Sequence, residues 1–137
     1  MCIASAIDPL RAANRIAGLP LYQWTIVSPD GANPMTTSGL PVSVSGKFDA
    51  SARHEVLIVI AGFGTAPYAK GPFIAGLSRA GRRARAVGGI EAGTWLLGHA
   101  GLLEGRSATT HFEDLEDFRT AFPAADVRPE RYVIDGH

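Results

Sequence analysis

Ala84-Arg85-Ala86-Val87-Gly88-Gly89-Ile90-Glu91-Ala92-Gly93-Thr94-Trp95-Leu96-Leu97 is the stretch that decides the architecture of this chain. A short apolar strand, predicted over Ala84–Gly88, runs into Gly-Gly-Ile-Glu-Ala-Gly and then into an apolar helix over Thr94–Ala100. Gly101 ends that helix, as glycine does where the chain must enter the left-handed region. Small residues around such a turn let the backbone reverse sharply and project one side chain, here Glu91, at the helix start. The outline is that of a nucleophile elbow. It also serves any tight strand-to-helix connection, since all of them favour glycine.

Upstream, Glu55–Ile60 is a nearly continuous Val/Leu/Ile run, the signature of a strand buried on both faces. It too runs into glycine, at Ala61-Gly62-Phe63-Gly64. Between the two strands, Pro72–Leu77 opens a helix that ends in the basic segment Arg79–Arg83. Strand, helix and strand in this order predict an α/β fold with right-handed crossovers and a mainly parallel sheet. Ligands of such sheets sit beyond the carboxyl ends of the strands, which directs attention to Gly62–Thr65 and Gly88–Thr94. Further along, Ser107–Thr110 reads as a brief strand and Phe112–Phe122 as an amphipathic helix presenting Phe112, Leu115, Phe118 and Phe122 on one side. Arg131–Ile134 is a last strand before Asp135-Gly136-His137.

Towards the N-terminus, Ile3, Ile7, Leu10, Ala13 and Ala17 recur at helical spacing, and Gly18 stops the pattern. Asp8-Pro9 means that the helix either starts there or bends there. Leu21–Ser28 alternates around Tyr22, Trp24 and Ile26 as a strand does, and Pro29-Asp30-Gly31 is a turn. Met35–Val44, with Ser38-Gly39 inside, has the form of a short hairpin.

The 137 residues make one domain's worth of chain. With 46% hydrophobic and 19% charged residues, a real core can form. Thirteen Lys+Arg against thirteen Asp+Glu leave no net charge, whereas a domain that wraps nucleic acid by itself shows a basic excess. The longest apolar run, Val56–Ala61, is too short to span a membrane, and no signal-peptide pattern follows Met1, so the expected setting is cytoplasmic. A single cysteine, Cys2, excludes a disulfide framework and a Cys-rich zinc site. His54, His99 and His137 are scattered without metal-ligand spacing. No cofactor is expected.

Arg79, Arg82, Arg83 and Arg85 form a basic cluster, read as a solvated helix end, and Glu113, Asp114, Glu116 and Asp117 are the acids expected in a first helical turn. Gly62-Phe63-Gly64 lacks both a full Gly-x-Gly-x-x-Gly and a following Gly-Lys-Ser/Thr, which excludes nucleotide binding.

Several blocks together resemble a known family. These are Asp8–Arg15, Tyr22-Gln23-Trp24, Val27–Gly31, Gly88–Leu97, Ala100–Arg106, Ala108–Glu113 and Tyr132–Gly136, with Ala100–Glu113 the most specific. The chain resembles the N-terminal domain of GlxA-type, AraC-family transcription regulators, a domain of the ThiJ/PfpI, class I glutamine amidotransferase-like kind. The resemblance covers nearly the whole chain. It implies a flavodoxin-like three-layer sandwich over residues 1–137, and a C-terminal helix-turn-helix pair outside this sequence. It further implies a fragment, because the family has a β-strand before its first helix and more of the domain after the position of His137.

Carried over residue by residue, the cysteine nucleophile of enzymatic relatives falls at Glu91, their histidine at His111, an oxyanion-hole glycine at Gly62 and an early acid at or near Cys2. A glutamate substitutes poorly for a thiolate in acyl transfer, so no catalysis is expected. Glu91 instead either accepts helix N-terminal amides or supplies negative charge to a pocket that includes Ala92 beside it. Trp95, four positions on, either shares that side of the helix or packs in the core. A carboxylate with an indole suits a cationic or zwitterionic amine, by charge and by cation–π attraction. His111 either satisfies local backbone groups or is a pocket histidine that contacts ligand or pairs with Glu91, and Cys2 is either redox-active near the pocket or simply buried.

The expectation is a non-catalytic, effector-sensing and dimerising domain with contacts at Glu91, Ala92, His111, Gly62, Trp95 and Cys2. DNA would be reached only through the C-terminal domain. The alternative is an enzyme of the ThiJ/PfpI type, such as an amidase, a glyoxalase-like hydratase or an isomerase.

Overall fold

A computed structural model describes residues 2–136 of the chain. Met1 and His137 lie outside the described residues, so the scattered histidines are placed only for His54 and His99. By its internal contacts the chain divides into two units, Met1–Phe48 and Asp49–His137.

The first unit opens with α1, Cys2–Ala17, which runs through Pro9. The helix thus starts well before Asp8-Pro9. Proline removes one backbone donor inside it, and Asp8 is tied to Arg11 Nε at 3.0 Å on the exposed surface. Ile3, Ile7, Leu10 and Ala13 form its half-buried stripe, and Gly18, at φ 64°, ends it. Asn14 then clasps the returning chain, donating to the Tyr22 carbonyl and accepting from the Tyr22 N–H, both at 2.8 Å.

Leu21–Ser28 is not a strand. Its only ladder contact is a parallel bridge from Ser28 to Lys47, and Leu21, Tyr22, Trp24 and Val27 are exposed. Alternation marks a chain suited to a sheet, but a strand exists only where a neighbour supplies the hydrogen bonds. Here the neighbour reaches the end alone, with Ser45 N–H donating to Ile26 and Ser28 N–H to Gly46. The predicted hairpin at Met35–Val44 is reduced to one antiparallel bridge, Met35 to Pro41. Pro29-Asp30-Gly31 does turn, held by the buried Ser28 hydroxyl, which donates to the Ala32 carbonyl at 2.7 Å.

The second unit contains the remaining elements: β1 (Val56–Ala61), α2 (Pro72–Gly81), β2 (Ala86–Glu91), α3 (Gly93–His99), β3 (Ser107–Ala108), α4 (Leu115–Ala121) and β4 (Asp126–Val127). A short 3-10 turn at Phe112–Asp114 leads into α4. β1 and β2 pair in parallel, with Val56 opposite Ala86 and Ala61 opposite Glu91. β3 and β4 form a second parallel pair. The predicted strand at Ala84–Gly88 therefore lies further on and carries its glycines into the ladder. Arg131–Ile134, predicted as a strand, has no ladder partner, and the chain pairs earlier, at the unpredicted β4.

One face of β1 and β2 is packed: Leu57, Val59, Ala61 and Val87 lie against Ile74 and Leu77 of α2 and Leu96 and Leu97 of α3. The alternate side chains Val56 and Ile58 are exposed, as the two-residue strand period requires when only one face is covered. A second cluster joins Phe118 of α4, which is fully buried, to Ala108, Val127, Trp95 and Phe122. α3 contributes to both clusters and so fixes the elbow against the core.

Candidate functional site

β2 ends at Glu91, the one non-glycine residue among those described with a positive φ, at 55°. A side chain in this left-handed region costs on the order of 1–3 kcal/mol and persists where its surroundings enforce it. The enforcement is visible on both sides. A Cβ added to Gly93 would stand 2.0 Å from the Val59 carbonyl oxygen, and one on Gly89 would stand 2.7 Å from Thr94 Oγ1. Glycine at both positions lets α3 start directly against β1, and the Ala92 N–H donates to the Ala61 carbonyl at 2.9 Å. The elbow predicted from the sequence is thus formed, with Glu91 projecting from it.

Register brings Gly62 to the same place, because Ala61 is paired with Glu91 and Gly62 follows it. Ala92 follows Glu91 and is buried. His111 arrives from the chain after β3, where it caps the 3-10 turn: its Nδ1 accepts from the Glu113 N–H at 3.4 Å, and the Glu113 carboxylate stands 3.8 Å away. Two rings flank the imidazole, with Phe63 at 6.2 Å between centroids and edge-on, and Phe112 at 4.7 Å.

Glu91, Thr94, Thr110, His111 and Phe112 line one cleft of about 1480 Å³, which runs along the outer edge of β2 to the segment around Glu130 and Tyr132. Thr109 fixes that far wall by donating to the Glu130 carbonyl at 2.9 Å. The hydroxyl of Thr110 is shielded from solvent and has no hydrogen-bond partner among the described residues. Of the six residues singled out from the sequence, Glu91, Ala92 and Gly62 therefore stand at the carboxyl ends of β1 and β2, and His111 lines the same cleft as Glu91 and lies against Phe63, which follows Gly62.

Trp95 is placed elsewhere. Its indole lies edge-on to Phe118 at 5.2 Å and to Phe122 at 5.6 Å, inside the second core cluster. The spacing of four from Glu91 is not a helical one here, because Glu91 precedes the helix and the i, i+4 relation holds only within one. Cys2 is a half-buried residue of α1, in the first unit. Sequence reasoning missed Phe63 and Phe112 as partners of His111. Their signal was positional, since each adjoins a residue already singled out. No group of three or more His, Cys, Asp or Glu side chains among the described residues is placed to hold a metal ion.

The model of the DJ-1/PfpI family matches residues 5–137. This chain belongs to the DJ-1/PfpI family. Within it, the chain is 35% identical over 136 residues to the HTH-type transcriptional regulator CdhR of Pseudomonas aeruginosa, across 99% of this chain and 40% of that protein. It is 38% identical over 140 residues to the HTH-type transcriptional regulator GlxA of Rhizobium meliloti, across 99% and 42%. The chain thus spans about two fifths of the length of these curated relatives. An isonitrile hydratase of Pseudomonas putida is also similar, at 31% identity over 125 residues, 89% of this chain and 53% of that protein.

Among solved structures, an AraC family transcriptional regulator from Pseudomonas putida superposes with a TM-score of 0.82 at 26% identity, over 97% of this chain and 71% of that one. A transcriptional regulator protein from Vibrio parahaemolyticus, described as putative, has the same fold, with a TM-score of 0.80 at 19% identity over 98% and 72%. The parallel pairing and the helices described above are therefore those of the flavodoxin-like DJ-1/PfpI fold found in such regulators. No helix among the described residues is long and apolar enough to cross a membrane.

Proposed function

We propose that this chain is the effector-sensing domain of a cytoplasmic AraC-type transcriptional regulator and that it does not catalyse a reaction. The similarity to regulators supports the regulatory part. The observation that carries the sensing part is Glu91: a carboxylate stands at the elbow, held at a strained φ, on the rim of a cleft that His111 also lines. A carboxylate there attracts a cation and is a poor nucleophile for acyl transfer. The effector is accordingly a small amine or an amino-acid-like molecule, contacted by Glu91, Ala92, Gly62 and His111. Trp95 holds α3 in the core.

In this reading residues 1–137 act as one sensing domain that pairs with a second copy. The exposed apolar side chains of Ile16, Leu19, Leu21 and Trp24 support the pairing. Effector binding shifts the pair between states, and a C-terminal helix-turn-helix domain turns that shift into altered DNA affinity.

Titration calorimetry of the chain with a panel of amines and amino acids tests the reading. At least one is expected to bind, and Glu91→Gln is expected to weaken it about tenfold or more, as loss of a charged partner does. The second reading, an enzyme of the ThiJ/PfpI type, draws on the similarity to the isonitrile hydratase and on His111 beside the elbow. Glu91-dependent turnover of amides, isonitriles or methylglyoxal would establish it and overturn the first.

A further inference from the structure

We propose that arginines at the amino ends of β1 and β2 form a second DNA-contacting surface, which grips duplex phosphates without reading sequence. This rests on the regulatory reading above.

Arg79 lies in the last turn of α2, and Arg82 and Arg83 follow it at helical spacing. The helix dipole accounts for basic residues there. It does not account for Arg53 and Arg85, which come from outside the helix. Strand pairing brings those two together, because the Glu55 carbonyl accepts from the Arg85 N–H at 3.0 Å and the Ala86 N–H at 3.1 Å. All five arginines are exposed.

Two of the guanidinium groups are held by neutral acceptors. Arg82 donates to the Gly101 carbonyl at 3.1 Å, and Arg83 donates to the Ala50 carbonyl. A carbonyl fixes a guanidinium without cancelling its charge, and most of its five N–H donors stay available. Arg53 and Arg79 have neither a hydrogen bond nor an ion pair among the described residues. Arg85 faces Glu55 at 3.9 Å, with both side chains more than four-fifths exposed, a pairing that water largely screens.

The acids beside this surface, Asp49, Glu55 and Glu104, are fewer than its arginines. Glu91, and Glu113 beside His111, stand towards the carboxyl ends of the strands instead. A chain of zero net charge therefore presents one positive end. The planar fork of arginine matches phosphate oxygens, and duplex DNA offers one such charge per roughly 1.7 Å of its axis. In the regulatory reading DNA is the polyanion held next to this domain. β1 and β2, six residues each, place the surface about 20 Å from Glu91, so one pair of strands carries both.

The experiment is fluorescence anisotropy of the 137-residue chain with a labelled duplex of about 20 base pairs at low and rising salt. Binding is expected whatever the sequence, with log K falling against log salt at a slope of about −3 to −4. Arg79→Gln/Arg85→Gln changes two exposed positions whose side chains tether no carbonyl, so the fold is kept. It is expected to weaken binding about tenfold and to reduce the slope by about two. Arg15→Gln/Lys47→Gln removes the same charge from exposed positions of the first unit and is expected to leave both unchanged. Three results overturn the inference: no binding at low salt, equal loss in the two variants, or polyglutamate displacing the duplex as well as unlabelled DNA does at matched charge. Each of these leaves the effector-sensing reading in place, because that is read separately by amine titration of Glu91→Gln.

Discussion

Glu91 and Trp95 are four residues apart, yet they belong to opposite kinds of surroundings. Glu91 is exposed, stands at φ 55° and is held there by backbone contacts on either side. Trp95 is half-buried among Phe118 and Phe122, with ring separations of 5.2 and 5.6 Å. The turn between them stores strain at one end and gains apolar contact at the other. The difference shows how a side chain is kept in an unfavourable backbone state: the helix behind it is anchored by a cluster that the strain cannot displace. α3, only seven residues long, transmits this hold because Leu96, Leu97 and Ala100 beside it are also buried.

Phe118→Ala attacks the anchoring end. Phe118 is fully buried, and its loss is expected to cost about 3–5 kcal/mol, read as a lower urea midpoint. If the cluster anchors the elbow, effector affinity falls in the folded fraction as well. A variant that unfolds earlier but binds unchanged would separate the two ends. Glu91→Gly attacks the strained end and should act in the opposite direction. Glycine adopts positive φ without the side-chain penalty, so stability should rise by up to about 1 kcal/mol once its larger unfolded-state entropy is deducted. Amine binding should be lost in the same variant. A stability gain that accompanies lost binding is the expected mark of a functional strained position.

The smallest effect belongs to the far wall of the cleft. Asp135 accepts from the Ser107 N–H, and the Arg106 guanidinium lies 3.6 Å away; together these hold its carboxyl below the ordinary value of 3.8. A depressed folded-state pKa stabilises the fold at pH above the unfolded value and ceases to do so as pH falls through the folded one. Asp135→Asn should therefore lower Tm slightly at pH 7, and the gap to the parent chain should close below about pH 4. A gap that persists in acid would mean that the segment is held by something other than this carboxylate.

The elbow was legible because its determinants are local. Gly88, Gly89 and Gly93 surround Glu91 in sequence, and the close approach of α3 to β1 demands small residues there whatever lies further away. The strands that failed, Leu21–Ser28 with its alternation and Arg131–Ile134 with its apolar run, have no neighbour among the described residues along their length, and pairing is a property of two segments. β4 was missed for the converse reason. Two residues carry no periodicity, and its place is set by partners distant in sequence: the Asp126 N–H donates to the Arg106 carbonyl, and its side chain accepts from Ser107. His111 was singled out through the family resemblance, whereas the two rings beside it became visible only when β1 and the chain after β3 were brought together.

Gly93 has a consequence for how such a site changes over time. With its Cα hydrogen face against Val59, the start of α3 has one available position, and that position does not depend on which side chain residue 91 carries. The mount and the tool are separable. Side chains can be exchanged at position 91 while Gly93 keeps the start of α3 seated against β1.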